Sequence, residues 1–293
     1  MTGDPSATTP GTIPHCYRHS DRETYVSCQR CGKPICPDCM RQASVGFQCP
    51  DCVREGQATV RRPRTAFGGR VRPGSAYVTI TLIAINFAFF VIAHATGGEN
   101  GSFVRRMELW TSVDVPRLDI QGVAQGSYWQ LLTSTFLHVQ VLHIALNMIG
   151  LWIFGSFLEA QLGRWRYLAL YLVSGFAGSV AVYVLTDPNS PPSLGASGSI
   201  FGLFGAALVV LLRQRADVSQ LLLLLVLNLV ITFTASNIAW QAHLGGLAAG
   251  LVLGAGFAYA PRKHRLAVHI GLLVLVTAMC VVATMLRTAA LTT

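Results

Sequence analysis

Residues 195–212 read GASGSIFGLFGAALVVLL, an uncharged segment that opens with a serine between small residues. Its glycines recur at helical spacing: Gly198, Gly202 and Gly205. A second segment, AHLGGLAAGLVLG at 242–254, carries His243 followed by a similar stripe: Gly246, Gly250 and Gly254. Small residues three or four positions apart let helices approach closely in lipid. The pattern predicts two membrane helices in contact, with Ser197 near His243, although glycines that only pack are ordinary in membrane bundles.

The composition of the whole chain favours a membrane protein. Of 293 residues, 52% are hydrophobic and 12% are charged, and the mean hydropathy is +0.48. A spanning helix needs about 20 mainly apolar residues. Seven stretches approach that length: 77–95, 140–158, 166–186, 197–212, 219–234, 240–260 and 266–287. We therefore predict an all-α polytopic membrane protein, in which the short fourth and fifth spans end against a protein-lined cavity.

The distribution of Lys and Arg predicts the orientation. The turns at 164–166, 213–215 and 262–265, together with segment 57–76, carry most of the basic residues near the spans, so the positive-inside rule places them in the cytoplasm. No signal-peptide pattern opens the chain. We expect a multi-pass plasma-membrane protein with its N-terminus inside and its C-terminus outside. The net charge is +9, but the basic residues do not form one patch interleaved with aromatic residues, which argues against nucleic-acid binding. The basic linker 57–76 is suited to contact with anionic lipid.

Three other features have structural interpretations. The outer loop 96–137 is amphipathic around Phe103, Met107, Leu109 and Trp110, which suits either an interfacial segment or a solvated loop. The charges at the inner turn are expected to be solvated: Glu159, Arg164 and Arg166. Cys280 lies in an apolar span, where a packed thiol is the expectation.

Seven of the eight cysteines fall within residues 16–52, in the part of the chain predicted to lie in the reducing cytoplasm. With one histidine they form four closely spaced pairs: Cys16 and His19, Cys28 and Cys31, Cys36 and Cys39, Cys49 and Cys52. Four such pairs predict two tetrahedral zinc sites. Protein ligands saturate both ions, so the zinc is expected to be structural. His15 is a weaker competitor for His19, and the domain is expected to bind a cytoplasmic protein, the membrane surface or a second copy.

Polar side chains inside apolar spans are costly and usually functional. His143 and Asn147 are one helical turn apart near the outer end of the second span. Ser197 and His243 open the fourth and sixth spans from the same side. A serine needs a base within reach, and an imidazole with an ordinary pKa near 6.5 suits that task. Asn147, His143 and the Ser197 N–H can donate to an oxyanion, and no Asp or Glu lies beside the pair, so we predict a dyad.

These motifs resemble the signature of rhomboid intramembrane serine proteases: Gly-Ala-Ser-Gly at 195–198, His138-x4-His143-x3-Asn147, and Ala-His-x-x-Gly at 242–246. The resemblance covers about residues 77–260 and implies a six-helix core that opens to the outer face, with 261–293 as an added seventh span. It implies Ser197 as nucleophile, His243 as general base, and His143 and Asn147 as oxyanion donors. The implied substrates are single-span membrane proteins, cut in or near the bilayer, and no cofactor is implied for catalysis.

Two positions leave questions open. Many members of that family have Arg after the tryptophan of the first outer loop, whereas this chain has Gln130 after Trp129, which puts the anchoring of that loop in doubt. His138 suits a structural role as well as a catalytic one. A rhomboid-like protein that binds helices without cutting them, or a zinc-domain receptor or transporter, are the alternative functions. Inactive relatives typically lack the serine or the histidine, and this chain has both.

The cysteine pairs of residues 1–56 resemble a B-box-type zinc finger. That resemblance implies a cross-brace, in which the first and third pairs hold one ion and the second and fourth pairs hold the other. Cys49 and Cys52 stand where that family has a histidine pair, so a sequential grouping stays open.

Overall fold

The computed structural model describes residues 13–59, 65–69, 76–115, 120–235 and 238–293. The chain divides into two compact units, Met1–Arg62 and Pro63–Thr293. The helices of the described residues are α1 (Pro50–Thr59), α2 (Tyr77–Ala95), α3 (Ser102–Met107), α4 (Gln130–Thr133), α5 (Val141–Leu162), α6 (Arg164–Leu185), α7 (Ser197–Arg213), α8 (Ser219–Thr234), α9 (Trp240–Tyr259) and α10 (Arg265–Thr292). Two short antiparallel hairpins accompany them, β1 (Arg41–Gln42) with β2 (Phe47–Gln48), and β3 (Asp114–Val115) with β4 (Ile120–Gln121).

The N-terminal unit has a very small apolar core. Ile35 is fully buried, and its buried neighbours are cysteines, with Tyr17 and Met40 packed partly against them. The β1–β2 hairpin and α1 follow in the chain. Units of this size rarely bury enough apolar surface to fold alone, so disulfides, metals or association usually contribute.

The predicted linker 57–76 lies in large part outside the described residues. Within it, α1 continues to Thr59. Residues 65–69 form a turn, closed by a hydrogen bond from the Gly68 N–H to the Thr65 carbonyl. Phe67 in this turn is 4% exposed and packs in the core of the second unit. The turn therefore belongs structurally to the membrane unit.

The second unit has the helices expected of a membrane protein. Five of the described helices, α2, α5, α6, α9 and α10, are long and apolar enough to cross a bilayer. The predicted fourth and fifth spans are α7 and α8, with 17 and 16 residues, and they are the shorter apolar helices. The sequence-based spans match these helix bounds closely because hydropathy over about 20 residues is a strong signal. Multiple apolar helices make this a membrane protein.

Helix α7 lies at the centre of the bundle, packed against α5, α6 and α9. The predicted glycine contact is confirmed. A methyl group at Gly246 would collide with the carbonyl of Gly198, and one at Gly250 with the carbonyl of Gly202. A methyl group at Gly254 would lie 2.7 Å from Ala206 Cα. The backbones of α7 and α9 are thus in direct contact along the two stripes.

The loop between α2 and α5 is anchored by Gln130, which is only 1% exposed. Its Oε1 accepts from the Trp110 N–H at 3.1 Å, and its Nε2 donates to the Gln121 carbonyl at 2.8 Å. The indole N–H of Trp129 donates to the Arg106 carbonyl at 3.0 Å. The glutamine therefore ties two segments of the loop together, which answers how this loop is anchored without the arginine that many members of the resembling family have there.

Several apolar side chains of this loop are buried or packed against the protein. Leu109 is 2% exposed. Its backbone N–H and carbonyl both form hydrogen bonds with the backbone of Ser193, which lies in the loop before α7. Phe103 and Met107 pack against a small buried cluster formed by Ala93, Val104 and Leu137. Glu108 lies beside them, and burial raises the pKa of its carboxyl to about 7.

The expectation that the charges near the α5–α6 turn are solvated was wrong for two of them. Glu159 is 7% exposed and accepts the backbone N–H groups of Val78 and Thr79 at the start of α2. Arg166 is 6% exposed, and its Nε donates to His269 Nδ1 of α10 at 2.8 Å. Hydropathy does not reveal such pairing, because the partners are backbone N–H groups for Glu159 and a residue about 100 positions away for Arg166.

Helix α10 packs on α6 and α9. At one end the Tyr183 hydroxyl contacts the Thr288 hydroxyl at 2.8 Å, and Arg287 donates to the Thr186 carbonyl at 3.2 Å. Cys280 is half-buried in the same interface. The seventh apolar helix is therefore attached to the bundle by polar contacts as well as by packing.

Candidate active site and candidate metal centres

Ser197 is the first residue of α7. The turn before it depends on Gly195, which has a φ of 128° and donates its N–H to the Ser134 carbonyl at 2.9 Å. A Cβ at Gly195 would lie 2.7 Å from Cε1 of His143, so only glycine allows this ring to lie against the turn. The first N–H groups of a helix have no acceptor within it and form the positive end of its dipole. The start of α7 is therefore suited to hold negative charge beside Ser197.

His243 lies in the first turn of α9 and is 7% exposed. Its ring stacks on Phe201, with ring centroids 4.2 Å apart and planes 11° from parallel. Its Nδ1 lies 2.7 Å from the Thr232 hydroxyl of α8. The ring is thus held on one face and at one nitrogen, which leaves Nε2 for other partners.

His138, whose role the sequence left open, is fully buried. Its Nε2 lies 3.1 Å from the Asn147 amide nitrogen and 3.4 Å from the backbone N–H of Ala196. One acceptor thus faces two donors, one on α5 and one directly before Ser197. This geometry fits a positioning role for His138, since it ties the amide to the turn that carries the serine.

The four residues that the sequence predicts to be catalytic all line one cavity. It has a volume of about 980 Å³ and is lined by His143, Asn147, Ser197 and His243. Within the described part of the chain, no hydrogen bond joins Ser197 to His243. Their neighbours are in contact, because a Cβ at Gly198 would lie 3.2 Å from the Ala242 carbonyl. Catalytic hydrogen bonds are often long in ligand-free enzymes and tighten when substrate binds.

The same cavity continues between α5 and α8. Its walls there are mostly apolar, with one amide: Leu146, Ile149, Ile153, Leu224, Asn228 and Ile231. Only three residues of α8 are buried, so this helix is loosely attached to the bundle. The cavity therefore offers an apolar slot beside a polar end that carries an alcohol, an imidazole and an amide. Such a set is chemically competent for acyl transfer to serine with stabilisation of an oxyanion.

The cysteine-rich unit contains two compact groups of metal-binding side chains. One consists of Cys16, His19, Cys36 and Cys39, and the other of Cys28, Cys31, Cys49 and Cys52. In each group the ligand atoms lie within 4.8 Å of one another. The first and third pairs of the chain thus meet, as do the second and fourth, in the order of a cross-brace. His15 is exposed and lies outside both groups.

The spacing within these groups fits a tetrahedral ion. With Zn–S bonds of about 2.3 Å, two thiolates on one zinc lie about 3.8 Å apart. Cys31 Sγ and Cys49 Sγ are 3.7 Å apart. His19 Nδ1 lies 3.8 Å, 3.3 Å and 3.4 Å from the sulfurs of Cys16, Cys36 and Cys39. Two sets of four soft ligands with these spacings fit structural zinc, with no position left for a water.

Two residues of the site were missed by the sequence reasoning. Phe201 lies one helical turn after Ser197, so its position on the same face of α7 could have been read from the spacing. Thr232 belongs to α8, where no spacing rule connects it to His243. Only the packing of α8 against α9 reveals that contact.

The fold and the site define a class: a polytopic membrane protein whose central short helix presents a serine and whose neighbouring helix presents a histidine to one cavity. The family model of the Rhomboid domain matches residues 125–260. The chain is 34% identical over 182 residues to "Rhomboid protease GluP" of Bacillus subtilis (strain 168), which covers 60% of this chain and 34% of that protein. It is 37% identical over 149 residues to "Putative rhomboid protease YdcA" of the same organism, which covers 49% of this chain and 73% of that protein.

A third relative is "RHOMBOID-like protein 6, mitochondrial" of Arabidopsis thaliana, 31% identical over 212 residues, with 61% of this chain and 68% of that protein covered. The chain belongs to the rhomboid family. It spans about a third of the length of the first relative named above and about three quarters of the second.

Proposed function

We propose that this protein is an intramembrane serine endopeptidase that cuts membrane-spanning segments of single-span proteins. The observation that carries the proposal is the cavity in which Ser197 at the start of α7 meets His243, Asn147 and His143. In this proposal Ser197 is the nucleophile and His243 is its base. Relatives whose names contain "rhomboid protease" support the same activity.

The first chemical step transfers the Ser197 hydroxyl proton to His243 as the serine oxygen bonds to the scissile carbonyl carbon. The charge on the carbonyl oxygen is stabilised by the first N–H groups of α7 and by Asn147, with His143 as a further donor. His243 then gives its proton to the leaving amine as the C–N bond breaks. Water releases the acyl group by the reverse sequence.

The slot between α5 and α8 supports the proposed substrate class. Its apolar walls match a membrane-spanning segment, and the polar end satisfies a peptide group that leaves its helix. We place the active site at the outer face and the N-terminal unit in the cytoplasm of a plasma-membrane protein, because the basic turns lie at the opposite helix ends from Ser197. The N-terminal unit holds two structural zinc ions and serves partner binding or localisation, whereas catalysis needs no cofactor.

Cleavage of a model single-span substrate by the purified full chain tests the proposal. Ser197→Ala and His243→Ala are expected to abolish cleavage. Asn147→Ala is expected to lower kcat by about 10²- to 10³-fold, the usual cost of one oxyanion donor. Wild-type cleavage by the Ser197→Ala variant would refute the assignment of Ser197 as the nucleophile of a serine protease.

A further inference from the structure

Thr232 is an unusual residue of α8. Three residues of this helix are buried, and Thr232, at 2% exposed, is the polar one among them. Its hydroxyl makes two contacts of 2.7 Å, one with the Asn228 carbonyl in its own helix and one with Nδ1 of His243 in α9. The loosely packed wall of the cavity therefore touches the proposed base through a single polar atom.

The two contacts together determine the hydrogen positions. A threonine hydroxyl has one hydrogen to donate and can accept as well. A carbonyl oxygen cannot donate, so the contact with Asn228 requires that hydrogen. If the hydroxyl instead donated to His243, two oxygens would face each other at 2.7 Å with no hydrogen between them. The hydroxyl must therefore accept from His243, which places the hydrogen of the neutral ring on Nδ1.

This tautomer is the one that a serine protease needs. With Nδ1 protonated, the lone pair of His243 lies on Nε2, the nitrogen that is free to take the Ser197 proton. In many proteases of this chemistry a carboxylate holds the equivalent N–H of the base. Here the structure shows Phe201 stacked on the ring and the Thr232 hydroxyl at Nδ1, where those proteases have the carboxylate.

We propose that Thr232 is a positioning residue that fixes the tautomer and the plane of the His243 ring, in the place of a third triad member. The inference rests on the proposed function. During acylation the proton of the Ser197 hydroxyl moves to Nε2 while the Nδ1 hydrogen stays on its bond to Thr232. Because Thr232 belongs to α8, its hydrogen bond to Nδ1 links the position of this wall of the cavity to the orientation of the His243 ring.

The test compares three variants of the full chain in detergent, with kcat and KM measured on one model substrate. Thr232→Val keeps the shape and removes the acceptor, so kcat should fall about 10- to 100-fold, as for the loss of a hydrogen bond to a group that becomes charged, with KM unchanged. Thr232→Ser should restore most of the rate. The matched control is Thr234→Val, since that hydroxyl also bonds its own helix, at 2.8 Å to Val230, but is exposed.

Two outcomes would overturn the inference: Thr232→Val as active as Thr234→Val, or Thr232→Ser as impaired as Thr232→Val, which would indicate packing alone. A second measurement does not depend on activity. Nitrogen NMR of the ¹⁵N-histidine protein, with His243 assigned from its loss in His243→Gln, should show a bare Nε2 in the wild type and a changed tautomer in Thr232→Val. A bare Nδ1 in the wild type would refute the inference even if cleavage depends on Ser197. Wild-type protein without serine-dependent cleavage would refute the proposed function, and the role of Thr232 with it.

Discussion

Gly195→Ala is the substitution whose effect the structure determines most fully. The φ of 128° at this position is strained for any side chain, at a cost of about 1–3 kcal/mol in the free energy of unfolding. The new methyl group would also lie 2.7 Å from His143 Cε1, and an ordinary contact begins at 3.4 Å, so the ring must move by about 0.7 Å. Displacements near 1 Å at a reacting centre can cost about 100-fold. We expect a loss of about 10- to 100-fold in kcat.

The chain offers a matched control at Gly126. Its φ is 102°, yet nothing lies within 4 Å of the position where a Cβ would be. Gly126→Ala should therefore introduce backbone strain similar to that of Gly195→Ala without displacing a side chain, so cleavage of the model substrate should stay near the wild-type rate. The same substitution at Gly195 in a His143→Ala background should add little, because the displaced ring is gone. Equal activity of the two alanine variants, or an undiminished effect of Gly195→Ala without His143, would refute the reasoning.

Three further predictions concern packing, metal and pH. Gly246→Leu should abolish activity by separating α9 from α7, whereas Gly271→Leu, with nothing within 4 Å of its Cβ position, should leave it intact; equal turnover would contradict the contact. Metal analysis should find about two zinc ions per chain, and fewer in the Cys28→Ser variant. A chain that begins at residue 65 should still cut substrate in detergent, because it keeps the buried turn at 65–69. Inactivity of this truncated chain, if it folds, would indicate that catalysis needs the zinc unit. Burial raises the pKa of Glu108 from 4.5 to about 7, so the folded state binds the extra proton and stability falls as pH rises through that range. Thermal melts should show that fall in the wild type and less of it in Glu108→Gln, and identical pH profiles would count against it.

The helices and the four cavity residues could be predicted because their signals are local. A span of about 20 apolar residues identifies itself by length, and small residues at three- or four-residue spacing predict contact. The glycine stripes after Ser197 and His243 give the α7–α9 contact in this way. The two groups of metal ligands follow from paired spacing, although the order in which pairs meet came only from a resemblance.

Other contacts could not be read from the sequence because their partners are distant or are backbone groups. Glu159 is buried since it accepts two N–H groups from the start of α2, about 80 positions away. Gln130 anchors the loop through backbone groups that become neighbours only after folding. Thr232 contacts His243 across a helix pair without a spacing signature. Polar pairing inside an apolar bundle is therefore the part of the site that required the structure.

The central claim, that Ser197 is an activated nucleophile in the membrane unit, is tested most directly by a fluorophosphonate probe and peptide mass spectrometry. Reaction of the intact wild-type protein should give one covalent adduct, located on the peptide that contains Ser197. His243→Ala should react far more slowly, since the base is gone. An adduct on another residue, or equal labelling of Ser197 with and without His243, would contradict the account.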